Sequence, residues 1–271
     1  MSDYLATWEA AAPGWERERD AVWAATHVIG ERMVDTLDPR PGQAILELAA
    51  GPGDTGFTAA RRIRPGGRLL STDLSPRMVE AARRRAAELG IDNADFSTID
   101  AQAMDLPDAS VDGVLCRFGY MLMPEPATAL AETRRVLRAG GKLVFSVWAE
   151  AEANPWASVI GRTMVELDVV PPPQPGEPGI FALAQPERIR ELARNAGFAE
   201  PEIERVEMTW AYGSFAEWWR FTLELAGALA AVIGQLTLEE QERVRATAER
   251  NATAFGPEYV VPGVCLNVAT S

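Results

Sequence analysis

Glu47-Leu48-Ala49-Ala50-Gly51-Pro52-Gly53-Asp54-Thr55-Gly56 follows directly on the apolar run Ala44-Ile45-Leu46. A β-strand that stops at closely spaced glycines and turns at once into a helix brings bare backbone to its tip. Glycine lets that backbone approach a bound group closely, and the first N–H groups of the helix point toward it. Taken alone, a GxGxxG is a weak signal, because a glycine turn also serves simply to join strand to helix.

The pattern on either side repeats the unit. A helix is expected over 55–64, a strand over 68–72, and then Ser75 as N-cap with Pro76 in the first turn. That helix continues through Met78, Val79, Ala82 and Ala86 to a stop at Gly90. Strands at 95–99 and 111–117, a helix at 127–137, the turn Ala139-Gly140-Gly141 and a strand at 142–148 complete five strands of βαβ type. A helix over 186–195 ends at Gly197, residues 202–210 alternate as a sixth strand, and 264–269 form a seventh. A further helix is expected over 20–37. Two stretches stand outside the alternation. Residues 154–184 contain Pro171, Pro172, Pro173 and Pro175 and read as a loop, and residues 215–256 read as two helices, Thr237 and Glu240 forming a capping box for the second. At 271 residues this makes a single α/β domain with a mainly parallel seven-stranded sheet: an N-terminal helical segment (1–40), a cofactor-binding core (41–150), and remaining strands (151–271) with substrate-cap insertions at about 154–184 and 215–256.

The chain carries 39 acidic against 26 basic residues, a net charge of −13, which opposes binding to nucleic acid or to an anionic membrane and favours a small-molecule partner. Two cysteines, Cys116 and Cys265, and one histidine, His27, offer neither a zinc site nor a disulfide framework, so no metal is expected. A cytoplasmic protein without an export signal or membrane span is the expectation.

Asp73 closes the second strand, 20 residues beyond Gly53, the spacing at which a carboxylate accepts from ribose hydroxyls. Asp100-Ala101 closes the third. Either aspartate alone could be a turn former or helix cap. Together with the glycine loop they place ligand-facing groups at the carboxyl ends of three successive strands, where open α/β sheets bind nucleosides.

These residues resemble the class I S-adenosylmethionine-dependent methyltransferases, in the subgroup similar to ubiquinone and menaquinone methyltransferases, over about residues 40–148. The resemblance rests on Ile45 to Gly53, Thr72-Asp73-Leu74-Ser75 with Met78, Asp100-Ala101-Gln102 with Leu106-Pro107, Cys116-Arg117-Phe118-Gly119, and Leu137 to Gly141. It implies a Rossmann-like fold with S-adenosylmethionine as cofactor. It also implies roles: Gly51 and Gly53 leave room for the methionine end, Ala49 backbone meets its amino group, and Glu47 lies near the ammonium. Asp73 would hold the ribose, Leu74 and Met78 would pack on the base, and Asp100, Ala101 and Gln102 would bind the adenine side. Methyl transfer would proceed by in-line displacement, which requires alignment of the reactants and a base only if the acceptor must lose a proton.

A nicotinamide-dependent oxidoreductase shares the loop and downstream acid, but a second carboxylate beside a pyrophosphate would repel it, and no hydride-transfer set is evident. A non-catalytic protein that binds S-adenosylmethionine is the other alternative. Arg117 joins the cofactor-binding set because a strand-end arginine in an apolar run needs an acceptor. Tyr120, Met121 and Trp148 are candidates to meet a hydrophobic or aromatic acceptor. His27 is read as an ordinary helix histidine, and no catalytic residue is assigned. The apolar stretch 218–236 could pack as a cap or form a homodimer interface, so monomer and homodimer both stay open.

Overall fold

The computed structural model describes residues 2–174 and 177–271, so Pro175 lies outside the described residues. Seven strands form one sheet: β1 (Ala44–Glu47), β2 (Arg68–Asp73), β3 (Ala94–Thr98), β4 (Val111–Arg117), β5 (Leu137–Trp148), β6 (Glu202–Ala211) and β7 (Val260–Thr270), in the order β3-β2-β1-β4-β5-β7-β6. The strands from β3 to β5 run parallel, and β7 is antiparallel to both its neighbours. The helices are α1 (Ser2–Leu37), α2 (Asp54–Arg62), α3 (Pro76–Leu89), α4 (Pro126–Val136), α5 (Pro155–Glu166), α6 (Pro186–Asn195), α7 (Phe215–Leu225), α8 (Gly227–Gln235) and α9 (Leu238–Asn251). This is the mainly parallel α/β sheet expected from the alternation, in the Rossmann-like form that the resemblance implies.

Chain order reverses between β1 and β4, which opens a crevice beyond their carboxyl ends. The helices around it are held by local chemistry legible in the sequence. Ser75 caps α3 by accepting from the Met78 N–H at 3.2 Å, and Gly90 closes the helix at φ 64°. Such a cap contributes about 1 kcal/mol. Met78, Val79, Ala82 and Ala86 recur at helical spacing and are buried. The Thr237–Glu240 capping box of α9 forms as expected.

Three expectations need correction. Residues 154–184 are not all loop: Pro155–Glu166 is helical, because Pro155 sits at the first turn, where its missing N–H costs nothing, and Trp156, Ile160 and Met164 bury one face. The segment after β6 contains three helices rather than two, divided at Ala226, whose φ of −95° and ψ of 69° interrupt the helix. The N-terminal helix begins at Ser2 and runs through Pro13. It is held there by tertiary contacts: the Trp15 indole N–H donates to the Leu225 carbonyl at 3.1 Å, and Gly14 packs so closely on the Glu224 backbone that a Cβ would lie 2.3 Å from its oxygen.

β6 and β7 pair from Glu202–Ala269 to Ala211–Val260, whereas β5 stops at Trp148, opposite Cys265. The β6–β7 hairpin therefore overhangs the carboxyl edge of the sheet and forms a wall beside the crevice. Among the described residues no helix is long and apolar enough to cross a membrane.

Candidate active site

The glycine loop is tied on both sides. Ala50 N–H donates to the Thr72 carbonyl at 2.9 Å, and the Thr72 hydroxyl donates to the Glu47 carbonyl at 2.7 Å. Gly53 takes the left-handed conformation at φ 89° just before α2, which an L side chain would strain. Ala49 also has positive φ, 50°, as does Phe118 just past β4, at 62°. Strained non-glycine backbone thus lies on both sides of the switch point, a feature that clusters at ligand sites.

Asp73 faces the loop. Its Oδ2 accepts from Gly51 N–H and its Oδ1 from Ser75 N–H, both at 3.0 Å. Burial raises its pKa, and the backbone donors of Ser75, Gly51 and Leu74 oppose that rise. The Cβ that Gly51 lacks would meet nothing within 4 Å, so the loop leaves open space beside this carboxylate. At the end of β3, Asp100 Oδ1 accepts from the Gln102 backbone N–H at 2.9 Å and side-chain amide at 3.0 Å, and the Gln102 Oε1 accepts from Glu125 N–H. Ala101 and Met78 are buried, and Leu74 is partly exposed. A carboxylate at a β2 end, an open cradle at the glycine and a second carboxylate at the next strand fit the ribose and adenine ends of an adenosyl group.

Glu47 is buried beneath the loop. Its Oε1 accepts from Gly56 N–H at 2.7 Å and its Oε2 from the Ser71 hydroxyl at 3.2 Å, and it is 2% exposed. Its carboxyl therefore seats α2 against β1 from behind the loop. Burial pushes its pKa up to about 8, against the opposing effects of Gly56 N–H and the Arg117 charge. Between pH 4.5 and 8 the unfolded chain has lost this proton and the folded chain keeps it, so stability falls as pH rises through that window. Glu47→Gln is neutral throughout and is expected to flatten that slope, raising the melting temperature at pH 8 relative to the parent while matching it near pH 4.5. Thermal melts across this range check it; an unchanged slope would show that Glu47 is ionised in the fold.

The first turns of α1 stand over the crevice, a feature with no sequence signal beyond the i, i+4 pair Tyr4 and Trp8. The Glu9 carboxylate bonds the Ser75 hydroxyl and accepts from Arg77 N–H at 3.1 Å. Tyr4 is pushed up to about 12 by burial, and the charges of Asp73 and Asp100 add to the effect. Surface clefts of roughly 370–380 Å³ lie elsewhere, one between α1 and β6 and one between α1 and α3.

Arg117, Tyr120, Met121 and Trp148 separate in the structure. Tyr120 is not at the rim: it is fully buried on the α4 side, bonding the Thr133 hydroxyl at 2.6 Å and packing edge-on against Phe145 at 5.2 Å. Tyr120 lies on the face of Cys116 and its strand partner Phe145, opposite the face of Arg117 and Ser146. Met121 is likewise buried, at 2% exposure. Trp148 stacks on Phe118 at 4.1 Å and begins an aromatic row through Trp156 (4.9 Å) and Trp210 (4.7 Å) to Phe221 (5.3 Å), linking the carboxyl edge of β5 to the overhanging hairpin and α7. Phe118, Trp156, Trp210 and Phe221 are the members of that row that the sequence did not single out as site candidates. His27 is exposed, its Nδ1 2.9 Å from the Ala24 carbonyl. Among the described residues no group of three or more potential ligands could hold a metal.

Residues 45–141, which contain the loop and both aspartates, match the family described as a methyltransferase domain. Over this stretch the chain is similar to class I methyltransferases, among them the ubiquinone/menaquinone C-methyltransferases. It is 35% identical over 152 residues to the ubiquinone/menaquinone biosynthesis C-methyltransferase UbiE of Acidiphilium cryptum, covering 54% of this chain and 60% of that one. It is 29% identical over 181 residues to nocamycin O-methyltransferase of Saccharothrix syringae, covering 64% and 65%. The chain spans less than two thirds of the length of these curated relatives. The crystal structure of the YcgJ protein of Bacillus subtilis shares the fold, with a TM-score of 0.60 at 16% identity over 90% of this chain and 97% of that one. The matched stretch thus coincides with the strands β1 to β4, the start of β5 and their connecting helices.

Proposed function

We propose that the protein is an S-adenosylmethionine-dependent methyltransferase acting by in-line displacement on a small, hydrophobic or aromatic acceptor. The observation that carries this is the Asp73 carboxylate, held by Gly51 N–H at the open side of the glycine loop. When bound, the cofactor supplies a methyl group on a positively charged sulfur that needs no further activation. Asp73 accepts from the ribose hydroxyls. Asp100, Ala101 and Gln102 hold the base with Leu74 and Met78, and the backbone of Ala49, Gly51 and Gly53 meets the methionine end. Glu47 contributes by fixing the loop.

The acceptor belongs beside Phe118 and Trp148 at the carboxyl edges of β4 and β5, roofed by α1, α7 and the β6–β7 overhang. Aromatic faces there favour a flat apolar acceptor and attract a sulfonium. The relatives include both a C- and an O-methyltransferase, so the accepted atom follows from the acceptor. The methyltransferase match across the loop and both aspartates disfavours the nicotinamide alternative.

Incubation with methyl-tritiated S-adenosylmethionine and a panel of phenols, quinols and aromatic acids is expected to transfer label to at least one acceptor. Binding of S-adenosylhomocysteine without label transfer to any of them would favour the non-catalytic reading.

A further inference from the structure

Arg117 is a largely buried cation without a counter-ion of its own. Its Nη1 donates to the Thr26 hydroxyl of α1 at 2.8 Å, and its guanidinium lies 5.5 Å from the Phe118 ring and 6.0 Å from the Trp23 ring. Among the described residues it makes no carboxylate contact within the 4.0 Å of an ion pair. The nearest acids do not supply one: Asp54 is engaged by Arg85 at 3.1 Å, and Glu47 by Gly56 and Ser71.

The strand register places more unused polar groups beside it. Arg117 pairs with Ser146 of β5, and Ser146 with Asn267 of β7, so the three side chains form a row on the sheet face that α1 covers. The Ser146 hydroxyl and the Asn267 amide nitrogen are buried and have no partner. The same holds for the hydroxyl of Thr55, in the first turn of α2 and 3.1 Å from where a Cβ on Gly30 of α1 would sit. Buried donors left unpaired next to an unpaired guanidinium are costly, and a carboxylate would relieve that cost. The row lies one layer below Trp148.

We propose that Arg117 is the docking point for a ligand carboxylate, with Thr26 holding the guanidinium and Ser146 and Asn267 available as further donors. The inference rests on the methyl-transfer reading only for its choice of ligands. The carboxylate can come from the amino-acid end of the cofactor or from an acidic aromatic acceptor.

A double-difference binding experiment tests it. The wild type, Arg117→Met and Arg117→Lys are titrated with S-adenosylhomocysteine and its decarboxylated analogue. With S-adenosylhomocysteine saturating, they are then titrated with 2-naphthoate and its neutral amide. 5′-Methylthioadenosine, which lacks the amino-acid end, reports whether each variant is folded around the adenosine site. The expected result is a preference for one carboxylate over its neutral partner of about 10- to 100-fold in the wild type, as for a charge-assisted hydrogen bond. Arg117→Met should abolish that preference and Arg117→Lys retain part of it. Loss in the first pair identifies the cofactor as the source, and loss in the second identifies the acceptor. A carboxylate preference equal in wild type and variants, or absent from both pairs, overturns the proposal. If Arg117→Met fails to bind 5′-methylthioadenosine, the Arg117→Lys comparison decides by the same criterion. Failure of the wild type to bind any adenosyl compound would sink the methyl-transfer reading instead.

Discussion

Asp73→Asn is expected to weaken S-adenosylhomocysteine binding by about 100-fold or more while leaving the fold intact. Hydrogen bonds to an ionised acceptor are worth about 1.5–3 kcal/mol each, and two ribose hydroxyls would lose that advantage together. The amide also presents only one acceptor oxygen where Asp73 uses two, one to Gly51 N–H and one to Ser75 N–H, so its NH2 must oppose one of those donors. The loop and the N-terminus of α3 would shift with it. Calorimetric titration beside a thermal melt separates the two effects. A melting temperature near the parent's with binding lost places Asp73 at the ligand; binding retained within a few-fold would remove it.

Gly56→Ala is expected to be the most destabilising single-methyl change in the loop region. The added Cβ would lie 2.1 Å from Glu47 Oε2 and 2.6 Å from its Cδ. Glu47 cannot retreat, because its carboxyl is enclosed and bonded to Gly56 N–H and Ser71. Overpacking costs about 1–3 kcal/mol and more where a buried polar group also loses its partner. At about 2–4 °C per kcal/mol for a chain of this size, the melting temperature should fall by about 10 °C. The double variant Gly56→Ala with Glu47→Ala removes the obstacle and should recover part of the loss. A double variant no more stable than Gly56→Ala alone would show that the methyl is rejected by something other than Glu47.

The cofactor half of the molecule was legible because its determinants are local. Ser75, Pro76 and Gly90 delimit α3 by capping chemistry, and the apolar run at 111–117 is β4 at those bounds. Asp73 and the loop meet because parallel strands end at one edge, which spacing alone conveys. Contacts between distant segments were not legible. The first turns of α1 reach the crevice only because Trp15 and Gly14 fit against α7, more than 200 residues away. Tyr120 was misplaced because it shares the face of Cys116 and Phe145, where α4 packs, and not that of Arg117. The role of Glu47 was likewise hidden, since its partner Gly56 looks in sequence like the last glycine of a phosphate or nucleoside loop and in the structure is the glycine that leaves room for a buried carboxyl.

The most direct test is calorimetric titration of the full chain with S-adenosylmethionine and S-adenosylhomocysteine, with NAD and NADP as controls. Saturable binding of both adenosyl compounds at a single site, and none of the dinucleotides, is the expected result. Binding of a dinucleotide alone, or of no nucleoside compound at all, would contradict the assignment of the glycine loop and Asp73 to an adenosyl cofactor.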